Sequence, residues 1–513
     1  MPVKRARVRD NTQLAGRLGA VPQQGGLTDF RIWAPGAASV VVETVSGAEA
    51  LNAADDGMYI GMLLAPPGED YLISVDGERP LPDHCSRWQP YGLRGPSRVL
   101  DTNGFVWSTE RVPLKLSELV LYELHVGTFT PEGTFAAAIA RLGELARLGV
   151  TAVEVMPVAT FPGERGWGYD GVLISAPHHA YGGPHGLARF VDAAHAAGLG
   201  VILDVVYNHV GPAADLVSSF DPYFAAGTTT GWGDALDFTA RGVREWAIQN
   251  AELWIRDYRI DGLRLDATHA IDDDGSPVHV LAELRNRVKA LNPDALVISE
   301  TGTEDLRPLK DWGHDAIWLD AVHHHLHVLL TGERDGYYEG FGSADELARA
   351  LTTERPERFV VGAQNHDQVG NRARGDRLGA AEHRLALAVV LFAPLTPLLF
   401  MGEEYDESCP FVFFTDHDDP AIAAAAAEGR RREFAAFSSF AGDDLPNPQS
   451  EESFLRSKLE PRQADPLYRE LIALRRELPR ELAVEIRGSR LVLRRGTATL
   501  AVDLDAKTVE LTR

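Results

Sequence analysis

The sequence predicts an α/β fold: a (β/α)8 barrel preceded by a small β-sandwich and followed by a short C-terminal β-sheet. Three observations carry this. Eight apolar runs follow one another between residues 119 and 401, and helix-period segments separate many of them. The flanking stretches alternate apolar and polar residues over short runs instead. Near-continuous apolar strands imply a parallel sheet covered on both faces, and eight such units in one segment point to a closed barrel.

Residues 1–25 are polar and contain Gly and Gln, and are expected to be a flexible N-terminus. Residues 26–110 hold runs such as FRIWAPGAASVVVETV and MYIGMLLAPPGEDYLISVDG, broken by Pro-Gly and Asp-Gly, which read as a β-sandwich. Residues 111–479 form the expected barrel. Its strands are 119–126, 151–158, 201–206, 262–267, 296–299, 316–322, 358–363 and 397–401. In GLARFVDAAHAAG, Leu187, Phe190, Val191 and Ala194 fall on one helical face, with Gly198 near the end. Segments 135–149 and 384–392 read the same way. The stretch 402–465 is expected at the barrel mouth, and residues 480–513 as a small β domain packed on the barrel.

Composition narrows the function. Lys plus Arg number 50 against 74 Asp plus Glu, a net charge of −24. Such a balance argues against nucleic-acid binding, which needs clustered cations, and suits a neutral substrate. Two cysteines, Cys85 and Cys409, form neither a disulfide framework nor a CxxC pair, as in a reducing compartment. The N-terminus lacks the apolar core of a signal peptide. The most apolar stretch, 385–401, contains two prolines. A cytoplasmic protein without a membrane span is expected.

Catalytic side chains in such barrels project from the C-terminal ends of the strands. The third run carries Asp204 and continues to His209; the fourth carries Arg264 and Asp266; the fifth ends in Glu300; the seventh ends in His366 and Asp367. One strand-end Asp is more often a helix cap or a loop ion pair. Several acids and two histidines converging from four strands are not explained that way, because unpaired charge there costs several kcal/mol of desolvation. Arg264, two residues from Asp266, would keep that carboxylate ionised, as a nucleophile needs. Glu300, its pKa raised by neighbouring carboxylates, could hold a proton for a leaving group. Two carboxylates about 5 Å apart make a retaining glycosidase.

DVVYNH (204–209), GLRLDA (262–267), ISE (298–300) and NHD (365–367) resemble the four conserved regions of the α-amylase superfamily of glycoside hydrolases. The resemblance implies Asp266 as nucleophile, Glu300 as general acid/base and Asp367 as a third acid gripping sugar hydroxyls. Arg264, His209 and His366 would line the subsite of the attacked glucose, with Asp204 supporting Arg264. Tyr169 of WGYD (167–170) would stack under that sugar, with Trp167 beside it. YELHVGTFT (122–130), EVMPVATFPGERGWGYDGV (154–172), FMGEEYDESCPFVFFTDH (400–417) and EGRRREF (428–434) are similar to the maltooligosyltrehalose trehalohydrolases.

That family's reaction is hydrolysis of the α-1,4 bond beside the terminal trehalose, with functional pairing to a maltooligosyltrehalose synthase. A glycogen-branching or debranching enzyme remains the alternative within enzymes, and a non-catalytic carbohydrate-binding barrel outside them. Two positions depart from the superfamily pattern: Ala270 stands where most members carry a histidine, with His269 just before it, and TGTED follows Glu300. Both bear on the leaving sugar, and His269 is counted among the substrate-binding candidates.

No cofactor or metal is expected. His323, His324, His325 and His327 lack the spacing of a zinc motif, and IDDDGSP (271–277) lacks a calcium loop's first ligand. Trp232, Trp312 and Trp318 are further candidates for stacking on sugar.

Overall fold

The computed structural model describes residue 14 and residues 16–230, 233–273, 275–302, 305–434 and 445–513. At its centre is a closed ring of eight parallel strands, β1 (Leu121–Leu124), β2 (Ala152–Val155), β3 (Gly200–Val205), β4 (Gly262–Leu265), β5 (Leu296–Ser299), β6 (Ala316–Trp318), β7 (Phe359–Gly362) and β8 (Thr396–Phe400). They stand in chain order round the ring, and β8 pairs back to β1. Helices cover the outside and side chains fill the inside, so most positions on both strand faces are apolar.

The ring interior is layered. Leu121, Ala152, Ile202, Leu296, Ile298, Ala316 and Trp318 belong to an apolar cluster separate from the core between strands and helices. Strand alternation carries the chain to the next inward position two residues on. There β1 to β4 present Glu123, Glu154, Asp204 and Arg264, none more than 1% exposed. An apolar floor thus supports a charged layer, and the functional cavity opens above it.

Among the described residues, the helices round the ring include α1 (Phe135–Leu148), α2 (Gly183–Ala196), α3 (Arg241–Arg256), α4 (Val280–Leu291), α5 (Asp320–Thr331), α6 (Ala380–Phe392) and α7 (Pro466–Glu477). Between β5 and β6 a single turn, Arg307–Lys310, takes the place of a full helix. The Thr134 side chain accepts from the Ala137 amide to start α1, and Gly149 ends it at φ 108°. On α2, Leu187, Phe190, Val191 and Ala194 are fully buried, the face the periodicity picks out. From Leu385 to Phe392, α6 is apolar and buried all round because α7 and the C-terminal sheet cover its outer side.

Two four-stranded sheets form the N-terminal sandwich. One contains Leu27–Trp33 and Met58–Leu64, the other Val40–Thr44 and Asp70–Val75. Residues 1–13 and 15, part of the expected flexible terminus, lie outside the described residues. Gly19–Pro22 is a strand paired with Leu27–Trp33, where the sequence implied no order. Arg87 holds it by donating to the carbonyls of Leu18 at 2.7 Å and Ala20 at 2.6 Å. The chain ends in an antiparallel four-stranded sheet from Ala483 to Thr512.

The sixth strand differs from the expected 316–322. It stops at Trp318, and Asp320 already opens α5, where a first-turn acid favours the positive end of the helix dipole.

Candidate active site

The charged layer sets the geometry above it. Asp204 on β3 faces Arg264 on β4 in register, and the guanidinium Nη1 lies 2.9 Å from both carboxylate oxygens. Nη1 also donates to Asp266 Oδ1 at 2.7 Å, one residue beyond β4. Nη2 makes a 3.2 Å ion-pair contact with Glu300 Oε2, one residue beyond β5. One rigid, fully buried guanidinium therefore spaces the two carboxylates. Trp318 covers it at 4.4 Å.

Local backbone completes the arrangement. Ala267 adopts a left-handed conformation, φ 39°, which is costly for a residue with a Cβ. The turn aims its N–H at Glu300 Oε2, 2.7 Å away. After β7, the Asn365 side chain caps the short helix His366–Gly370 by accepting from the Gln368 amide. That turn places His366 and Asp367 over the ring. His366 Nδ1 lies 2.5 Å from Glu123 Oε1, and Nε2 lies 2.7 Å from the Tyr169 hydroxyl and 3.3 Å from Asp367 Oδ2. Tyr169 donates to Asp204 Oδ2 at 2.5 Å, tying the two halves together. In the same loop Gly168 sits at φ 99° against the Pro157 carbonyl, where a Cβ would come within 2.1 Å.

The three acids differ in protonation. Burial, joined by the charges of Asp204 and Asp367, pushes Asp266 up to about 6 although Arg264 opposes it. Burial and the charges of Asp266 and Asp367 push Glu300 up to about 7. At Asp367 burial works against ionisation, but His366, Arg264 and the Asn371 hydrogen bond outweigh it and lower the carboxyl to about 2. Burial is the larger cause at Glu300, ahead of the neighbouring acids emphasised from sequence. Near neutral pH, two acids are ionised or nearly so while a third holds much of its proton, a combination suited to attack with proton donation.

Asp266, Glu300, Asp367, Tyr169, His209, His366 and Trp167 all line one cavity of about 680 Å³. Arg264 and Asp204 lie beneath it, closing the floor. His269 is exposed on the turn Thr268–Ala270 and does not line the cavity. The TGTED segment falls partly outside the described residues, as does Trp232. Trp312 stacks on His279 away from the cavity, at 4.5 Å.

The other motifs have local partners. His323 Nδ1 bonds to the Ala363 carbonyl, His325 accepts from the Gly342 amide, and His327 pairs with Glu333; only His324 lines the cavity. In IDDDGSP, Asp273 pairs with Arg244 and accepts from the Val280 amide at the start of α4. Sequence reasoning passed over Glu123, which anchors His366, and Asp320, which lines the cavity. Asp320 lies just beyond the end of β6, where the strand-end rule had the signal, whereas Glu123 lies inside β1 and carries none.

The α-amylase catalytic-domain family model matches residues 96–222. A malto-oligosyltrehalose trehalohydrolase of Deinococcus radiodurans is 43% identical over 504 residues, covering 90% of this chain and 83% of that one. One from Saccharolobus solfataricus is 38% identical, covering 95% and 92%. Among solved structures, a Salmonella typhimurium protein provisionally called an α amylase superposes with a TM-score of 0.87 at 38% identity, over 94% of this chain and 92% of that one. With this identity sustained from the sandwich through the barrel, the chain belongs to the malto-oligosyltrehalose trehalohydrolase family of α-amylase-type glycoside hydrolases.

Proposed function

We propose that the protein hydrolyses the α-1,4-glucosidic bond next to the terminal trehalose of maltooligosyltrehalose, releasing trehalose with retention of configuration. The observation that carries the mechanism is the pair Asp266 and Glu300 on one guanidinium, with Glu300 the more readily protonated. An Asp266 oxygen attacks the anomeric carbon while Glu300 gives its proton to the departing glycosidic oxygen. Trehalose leaves, and a glycosyl ester on Asp266 remains. Glu300, now a base, takes a proton from water as the water oxygen displaces Asp266.

In this reading Asp367 holds hydroxyls of the attacked ring, which favours its flattened, positively charged transition state. His209 and His366 donate to the same ring, and Tyr169 packs under it. Trp167 stacks on Phe411 at 5.0 Å and braces His366 at 5.8 Å. Asp204 and Arg264 act from below as positioning groups.

The reading extends to a cytoplasmic setting and to functional pairing with a maltooligosyltrehalose synthase, whose product would be this substrate. Both cysteines are free thiols, and no helix among the described residues is long and apolar enough to cross a membrane.

Two substrates test the proposal: maltooligosyltrehalose and the maltooligosaccharide of equal length. Trehalose from the first, with little cleavage of the second, is the expected result. New α-1,6 linkages in amylose would overturn it in favour of branching. Asp266→Asn is expected to lower turnover by about 10⁴-fold or more, since the covalent step is lost.

A further inference from the structure

Beyond Glu300, the cavity wall continues along β6 and α5, and one carboxylate there has no part in the steps above. Asp320 opens α5 two residues after β6, the strand next to that of Glu300, and lines the same cavity. Its Oδ1 accepts from Gln368 Nε2 at 3.1 Å, and its other oxygen has no hydrogen-bond partner among the described residues. Gln368 Oε1 is buried and likewise unpartnered.

The neighbouring acids are better supplied. Asp204 has Arg264 and Tyr169, Asp266 has Arg264, Glu300 has Arg264 and the Ala267 amide, and Asp367 has His366 and Asn371. Asp320 thus offers a free acceptor oxygen to the cavity beside the buried Gln368 Oε1, and a buried acceptor is costly unless a donor meets it.

Their place indicates which ligand. In the displacement proposed above, the proton donor stands beside the glycosidic oxygen, so the bond to be broken points from Asp266 towards Glu300. The leaving ring then lies over the β5–β6 edge. The deep ring is held by His366, which rests on the charged floor through Glu123. From Asp320 the wall runs one helical turn along to His324, then to Tyr338 and Tyr337, which also line the cavity. That gives a continuous surface on the leaving side.

We infer that Asp320, oriented by Gln368, binds hydroxyl groups of the leaving sugar and so helps decide which leaving group the enzyme accepts. Burial, with the charges of Glu300 and Asp367, pushes its carboxyl up to about 7, so near neutral pH it can both accept and donate to hydroxyls. A hydroxyl reader of this kind discriminates strongly, because an analogue that lacks the matching hydroxyl leaves a buried polar group unpaired. The inference rests on the hydrolytic mechanism proposed above and names a residue for its leaving-group side.

The test compares leaving groups in Asp320→Ala, with Asp320→Asn as the conservative variant and thermal unfolding as the check on folding. On maltooligosyltrehalose, Asp320→Ala is expected to lower kcat/KM by about 10- to 100-fold, with partial recovery in Asp320→Asn. On a 4-nitrophenyl α-maltooligoside, whose leaving group has no sugar hydroxyls, the change should stay below about threefold. Inhibition by added trehalose should weaken by about tenfold or more. Equal losses on both substrates, or unchanged inhibition by trehalose, would overturn the inference. If the wild-type enzyme cleaves the aryl glycoside yet never yields trehalose, the substrate reading fails instead. The Asp320 comparison is then decided with plain maltooligosaccharide as the sugar-leaving substrate.

Discussion

At the scale of single residues, the site holds three acids whose environments pull their protonation apart, and pH reports this directly. In the proposed mechanism Asp266 must be ionised to attack and Glu300 protonated to donate, with carboxyls at about 6 and about 7. We expect a bell-shaped kcat/KM profile centred between these values, its limbs belonging to the interacting pair. Glu300→Gln should lose about 10²–10⁴-fold in turnover and lose the alkaline limb. An unaltered alkaline limb in that variant would assign the proton elsewhere. The same shift has a stability consequence. An acid whose folded pKa lies above its unfolded value of about 4.3 binds its proton more tightly in the fold. Its contribution is therefore most favourable at low pH and is lost as pH rises towards the folded value of about 7. Glu300→Gln removes that penalty. Its unfolding free energy should exceed the wild type's by about 1–3 kcal/mol at pH 8 and by much less at pH 5. Denaturant titrations at the two pH values measure the difference, and a gain equal at both would contradict the assignment.

Elements matter through what they hold still. The turn His366–Gly370 presents His366 and Asp367 on one side and packs against Trp167 on the other. A Cβ on Gly370 would stand 2.0 Å from the Trp167 ring, so the tryptophan would have to move. Gly370→Ala is expected to lower kcat/KM by about 10- to 100-fold while far-UV circular dichroism stays unchanged, because small misplacements of positioning groups are costly. Full activity would show that Trp167 is free to shift. Elements also explain which parts of the site were legible. Asp204, Asp266, Glu300 and Asp367 could be read as acids ending apolar runs. Asp320 could have been read by the same rule, but AIWLDAV looks like one continuous strand, and periodicity does not mark where a short strand turns into a helix. Glu123 was hidden differently, inside a strand, where an isolated acid reads as an interruption rather than as an anchor for a histidine 243 positions away.

For the whole molecule, the sandwich is fastened to the barrel by close packing. Gly242 on α3 lies flat against Trp33 of the sandwich, and a Cβ there would come within 1.9 Å of its ring. Gly242→Ala improves helix propensity by about 1 kcal/mol but forces this contact open. A net loss of about 1–3 kcal/mol in unfolding free energy is expected, read from chemical denaturation followed by tryptophan fluorescence. An unchanged midpoint would mean that the two units meet more loosely than the geometry implies.

The sequence by itself determined the barrel, the two flanking β units and the strand ends from which the acids project. Those features follow from periodicity and from the cost of burying charge, and both are written locally along the chain. Only the tertiary structure decided how the charges divide. Arg264 joins Asp204, Asp266 and Glu300 from three strands, and His366 joins Glu123, Tyr169 and Asp367. It also decided that Asp320 lines the cavity while His269 does not. The reason is physical: burial and charge–charge interaction depend on distance in space, and the closing of eight strands into a ring sets that distance.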